Sequence, residues 1–112
     1  MDIQHFRSRL LDARAQLLAL QATRDDSAAT VVLDQTSVGR LSRMDALQQQ
    51  AMALASRERA QRELLRIEAA LQRCDDGRYG DCVDCGEPIN LRRLEHDPAT
   101  PLCVACASKH AN

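Results

Sequence analysis

The sequence predicts a mainly α-helical protein: an antiparallel two-helix coiled-coil hairpin followed by a small four-cysteine zinc finger. Three observations carry that prediction. The 112 residues hold one Phe, one Tyr and no Trp, so a core built on aromatic rings is excluded. Ala and Leu supply most of the apolar content instead, and they recur at helical spacing over two long stretches. All five cysteines, all three prolines and three of the four glycines fall from Cys74 onward. A sandwich, a barrel or a large α/β enzyme does not fit such a chain.

The first helix is expected over residues 3–24. Ile3, Phe6, Leu10, Ala13, Leu17 and Leu20 step by 3, 4, 3, 4 and 3, the seam of a heptad repeat, with Arg7, Arg9, Asp12, Arg14 and Gln16 off it. From Asp25-Asp26-Ser27 to about residue 41 the chain turns to Asp, Ser, Thr and Val and includes Gly39, which reads as a connector forming the hairpin tip. The second helix is expected over 42–73, with Ser42 as N-cap and Asp45 in its first turn. Met44, Leu47, Ala51 and Leu54 form its first apolar stripe, and Ala60, Leu64, Ile67 and Leu71 resume it after a one-residue phase slip. Neither helix can bury its stripe alone. Folding back as a hairpin is the simplest solution and makes a monomer, with a parallel dimeric coiled coil as the competing arrangement.

Composition and charge both change at Cys74, dividing a hairpin domain, 1–73, from a finger module, 74–112. The first part carries 11 basic and 9 acidic residues, the second 4 and 7. No apolar run approaches the roughly 18 residues that span a membrane, and Met-Asp-Ile-Gln-His lacks the order of a secretory signal. A cytoplasmic location follows as the expectation, and in a reducing compartment clustered thiols bind metal more often than they form disulfides.

Cys82 and Cys85, then seventeen residues, then Cys103 and Cys106 give the spacing of a tetrahedral zinc site. Two Cys separated by two residues in a tight turn place both sulfurs on one side of a metal. Gly86 follows the first pair, where the chain must turn back with positive φ. Four thiolates leave no open position, so the expected single zinc is structural rather than catalytic. Cys74 continues the helical seam and reads as a small buried hydrophobe, and His110 is a spare donor that the four matched Cys do not need. Phosphate-binding loop, metalloprotease motif and nucleophile-base spacing are all missing, so no enzyme is expected.

Tyr79-Gly80-Asp81-Cys82-Val83-Asp84-Cys85-Gly86-Glu87-Pro88-Ile89, then Arg92-Arg93-Leu94-Glu95, Pro98 and Cys103-Val104-Ala105-Cys106, resembles the zinc finger of the DksA/TraR proteins over about residues 76–107. The hairpin fits the coiled coil of the same family. The resemblance implies a bacterial transcription regulator that binds RNA polymerase directly and inserts its coiled-coil tip through the secondary channel. The family's Asp-x-x-Asp-x-Ala tip motif is not present as such. Asp34, Arg40, Arg43 and Asp45 are the tip residues placed to contact a partner. Longer members respond to guanosine tetraphosphate through a basic residue before the finger's Pro and another after the last Cys. Those positions here are Asp97 and Ala107, which argues against that ligand.

Two function readings stand beside each other at this point: a polymerase-binding regulator acting through the tip, and a zinc-finger adaptor that uses the coiled coil to dock another protein. A DNA-binding finger is disfavoured by charge. The acidic excess of residues 74–112 is deepened by four thiolates on one Zn²⁺, and Arg92-Arg93 is its only basic cluster. Those two arginines are expected to pair with acidic groups of the hairpin or of a partner.

Overall fold

The computed structural model describes residues 1–34 and 43–110, with side chains for 1–23 and 43–110. Four helices follow in order: α1 (Ile3–Asp34), α2 (Arg43–Asp76), α3 (Leu91–His96) and α4 (Val104–His110). Among the described residues the only strand-like feature is an isolated antiparallel bridge between Asp81 and Pro88.

Helix α1 runs ten residues beyond the expected end at position 24, through Asp25-Asp26 and Val31-Val32 to Asp34. No Gly or Pro interrupts this stretch, and Asp, Thr and Val cost only tenths of a kcal/mol each in a helix interior. A shift toward turn-type composition without a true breaker did not stop the helix. Of the expected connector, residues 35–42, including Arg40 and the N-cap candidate Ser42, lie outside the described residues.

Helix α2 also overshoots, ending at Asp76 rather than 73. What stops it is Gly77, at φ 75°. The Arg78 N–H donates to the Arg73 carbonyl at 2.9 Å and the Gly77 N–H to the Cys74 carbonyl at 3.4 Å, the paired closure of a helix that ends on a left-handed residue.

The chain divides into two compact units, one formed by Met1–Arg14 with Leu64–Asn112, the other by Ala15–Glu63. In the first, the start of α1 packs on the end of α2 and on the finger. Phe6 and Leu10 from α1, Ile67, Ala70 and Leu71 from α2, and Tyr79, Ile89, Leu94 and Ala99 from the finger are all buried there. The two long helices are antiparallel in this unit. Arg14 meets Glu68 at 3.8 Å and Arg7 meets Asp75 at 3.5 Å, so one heptad back along α1 matches one heptad forward along α2. Phe6 and Tyr79, the only aromatic rings apart from histidine, touch with centroids 5.6 Å apart.

The second unit holds the rest of both long helices. Among its described side chains, Leu20, Met44, Leu47 and Leu54, all on the expected stripes, are more than half exposed. Among the described residues, no helix is long and apolar enough to cross a membrane.

Candidate metal centre

The finger is shaped by backbone hydrogen bonds that the glycines and prolines permit. Directly after α2, the Asp81–Pro88 bridge brings the two arms of the first cysteine turn together. Inside it the Cys82 N–H donates to the Glu87 carbonyl at 2.8 Å and the Gly86 N–H to the Cys82 carbonyl at 3.0 Å. Gly86 sits at φ 77°, as the spacing requires, a region that a side chain at Cβ would strain. The Val83 N–H then reaches the Pro101 carbonyl at 2.9 Å, tying the first turn to the segment that leads into the second cysteine pair. Between them α3 is capped by Asn90, whose side chain accepts the Arg92 N–H at 2.8 Å, and α3 seats Leu94 in the core.

This framework gathers the sulfurs of Cys82, Cys85, Cys103 and Cys106 within 4.8 Å of one another. Cys85 Sγ and Cys103 Sγ are 3.7 Å apart. Zinc–sulfur bonds of about 2.3 Å in a tetrahedron require sulfur–sulfur edges of about 3.8 Å, whereas a disulfide needs about 2.05 Å. All five cysteines are free thiols. The donor set therefore fits one tetrahedral zinc and no disulfide.

The electrostatics of the thiols say the same. Cys82 is pulled down to about 6, chiefly by the backbone N–H of Cys85 and, against the cost of burial, by those of Cys103 and Asp84. Cys106 is pushed up by its contact with the Cys103 sulfur, by burial, and by Cys82 and Cys85. The Glu87 N–H acts to lower Cys85, but burial and the neighbouring sulfurs outweigh it and raise this thiol too. One thiolate is stabilised, and further ionisation is opposed by crowding. A divalent cation at the centre reverses that opposition, which is why such a cluster belongs with a metal.

Cys74 stands apart from the four. It is half-buried on α2, and its thiol is raised by burial, the behaviour of a packed side chain. His110 Nε2 lies 3.1 Å from the Asp84 carboxylate rather than among the sulfurs. Arg93 departs from expectation. Its Nε donates to the Leu102 carbonyl at 2.9 Å, inside the finger, where the Thr100 hydroxyl also reaches that carbonyl at 3.5 Å. Of the tip residues, Asp34 closes α1 with its side chain outside the described residues, Arg40 lies outside them altogether, and Arg43 and Asp45 are exposed in the first turn of α2.

Several supporting groups escaped the sequence reading. Arg9 Nη1 donates to the Glu95 carbonyl at 2.7 Å and reaches its carboxylate at 3.2 Å, with His5 Nε2 3.4 Å from the same carboxylate. Arg66 pairs with Asp97 at 2.6 Å, and the Tyr79 hydroxyl donates to the Pro98 carbonyl at 2.8 Å. These contacts join positions 19 to 90 residues apart, too far for local pattern to reveal. Together they clamp the finger to the ends of α1 and α2.

A helical hairpin that carries a four-cysteine zinc finger at its base defines the class of protein. A family profile described as the prokaryotic DksA/TraR C4-type zinc finger matches residues 77–111. Transcription factor DksA2 from Pseudomonas aeruginosa superposes with a TM-score of 0.71 at 30% identity, covering 97% of this chain and 82% of that one. The RNA polymerase binding protein and transcriptional regulator Dks from Chlamydia trachomatis shares the fold, with a TM-score of 0.61 at 22% identity. In sequence, the RNA polymerase-binding transcription factor DksA of Caulobacter vibrioides is 40% identical over 60 residues, and that of Escherichia coli K12 is 36% identical over 56. Those stretches cover 54% and 50% of this chain but only 42% and 37% of the relatives, less than half their length. The chain belongs to the DksA/TraR family, and its finger is that family's structural zinc module.

Proposed function

We propose that this chain is a cytoplasmic regulator of transcription that binds RNA polymerase through protein contacts and performs no catalytic step of its own. The observation that carries this reading is the four-cysteine cluster locked onto the base of the helical hairpin, the combination it shares with relatives named for polymerase binding. Cys82, Cys85, Cys103 and Cys106 hold one Zn²⁺. The metal supplies folding free energy to a module with too few apolar groups to fold alone. The finger is then a rigid mount for the hairpin, whose tip, Asp34, Arg40, Arg43 and Asp45, makes the functional contact in the secondary channel.

Charge supports protein rather than DNA as the partner. Residues 74–112 carry 7 acidic and 4 basic groups before the thiolates are counted, and Arg93 is engaged on the Leu102 carbonyl. Guanosine tetraphosphate binding at the finger–hairpin junction is disfavoured on the same ground. Asp97 already holds the Arg66 guanidinium at 2.6 Å, so a polyphosphate meets a neutralised cation beside a carboxylate.

Affinity purification of a tagged chain from its bacterial host tests the reading. RNA polymerase subunits should copurify in near-equal amount, and a zinc-free Cys103→Ser chain should recover much less. Capture of another protein without polymerase would replace this reading with the adaptor.

A further inference from the structure

Helix α3 has only six residues, too few to hold its shape without support. It lies in the seventeen-residue span between Cys85 and Cys103, so one metal ion on the four sulfurs closes the loop that contains it. Two sets of side-chain contacts hold it from different parts of the chain. Arg93 Nε donates to the carbonyl of Leu102, the residue before Cys103. Arg9 Nη1 of α1 donates to the Glu95 carbonyl at 2.7 Å and to the Glu95 carboxylate at 3.2 Å, with His5 Nε2 3.4 Å from that carboxylate. Leu94, between Arg93 and Glu95, is fully buried. The start of α1 meets the first cysteine arm as well: the Met1 side chain occupies the space that a Cβ at Gly80 would fill, two residues before Cys82.

We infer that Arg9 is a positioning residue for the zinc centre: through Glu95 and α3 it helps the finger keep its metal, and the metal in turn keeps the start of α1 seated on the finger. Closing the loop between Cys85 and Cys103 on one ion restricts α3 to the place where Glu95 meets Arg9, so the bound ion strengthens that contact. Linkage makes the effect reciprocal. A contact that the ion strengthens must strengthen the hold on the ion by the same factor. Arg9 touches no sulfur; it acts by meeting part of the ordering cost of α3 before the metal arrives. Arg7, two residues earlier on α1, has no such share. It reaches Asp75 on α2 at 3.5 Å, outside the loop that the metal closes. The Arg9 and Glu95 side chains are 38% and 51% exposed, so the coupling is moderate, on the order of fivefold in zinc affinity.

Competition for zinc between the full chain and a strong chelator tests this. Arg9→Gln should lower the zinc affinity about fivefold at wild-type helicity, and Arg9→Lys, which keeps a charged donor, should recover part of the loss. Glu95→Gln should weaken zinc binding too, and the double variant should lose no more than Arg9→Gln alone, because both changes break one contact. Arg7→Gln removes an exposed pair of the same kind from the same helix and should stay within about twofold of the wild type. Hydrogen exchange reads the reverse direction. Stripping the metal from the wild type should speed exchange of the α1 amides over residues 6–14 by about tenfold or more. Wild-type zinc affinity in Arg9→Gln, an equal loss in Arg7→Gln, or α1 exchange indifferent to the metal would each overturn the inference. The second of these would assign the effect to the general stability of the helical packing.

Discussion

At the scale of single residues, the finger depends on groups that act only in combination. Removing one thiolate from a closed four-thiolate zinc leaves an open, weakly held ion, and the binding free energy lost is folding free energy. Native mass spectrometry should find one zinc per chain, and Cys103→Ser should lose it together with the ordered finger. Cys74→Ser should keep it, since Cys74 lies outside the sulfur cluster. Tyr79 is a milder case. Its ring packs on Phe6, and its hydroxyl donates to the Pro98 carbonyl at 2.8 Å in a half-buried setting. Tyr79→Phe keeps the packing and loses the bond, and chemical denaturation should register a cost of about 1 kcal/mol. The ligand pattern was legible in the sequence because two residues between paired thiols is a local constraint. The Arg66–Asp97 and Arg9–Glu95 pairs were not, because nothing local distinguishes an arginine that will find a distant carboxylate from one that faces water.

Among the elements, periodicity identified both long helices and the face each turns inward, but not where they stop or how well they are covered. Ile67 and Leu71 fall where the stripe put them and are buried, because the finger and the start of α1 close over that end of α2. Leu47 and Leu54 obey the same spacing and remain open to solvent. A heptad pattern says which side of a helix seeks cover; it does not say whether the chain has enough neighbours to provide it. The first helix ran past Asp25-Asp26 because composition alone, without Gly or Pro, costs too little to end it. Substitutions should separate the two ends of the seam. Leu10→Ala empties a site that is 2% exposed and should destabilise the fold by about 3 kcal/mol in urea titrations. Leu54→Ala, at 57% exposure, should change stability by less than about 0.5 kcal/mol in dilute solution. Equal losses from both would mean that the distal seam is as closed as the base.

For the whole molecule, the proposed function divides the labour between the zinc finger and the hairpin tip. The compact unit of residues 1–14 and 64–112 contains the zinc cluster, the aromatic pair and the clamp contacts. Variants there should change folding, zinc content and function together. The tip should behave differently. Asp34 ends α1, and Asp45 is exposed in the first turn of α2. Asp34→Ala and Asp45→Ala should therefore weaken the effect on transcription in a purified polymerase assay while zinc content and helicity match the wild type. Wild-type regulation by both would move the functional contact away from these carboxylates. The nucleotide question turns on the Arg66–Asp97 pair. A polyphosphate needs converging cations, and Asp97 already occupies Arg66 there. Calorimetric titration with guanosine tetraphosphate should show no saturable heat for the wild type. Asp97→Lys would remove that carboxylate and place a second cation beside Arg66, so this variant should gain measurable binding. Saturable micromolar binding by the unmodified chain would show that other arginines of α2 converge on the ligand, and that the Arg66–Asp97 pair does not govern the site.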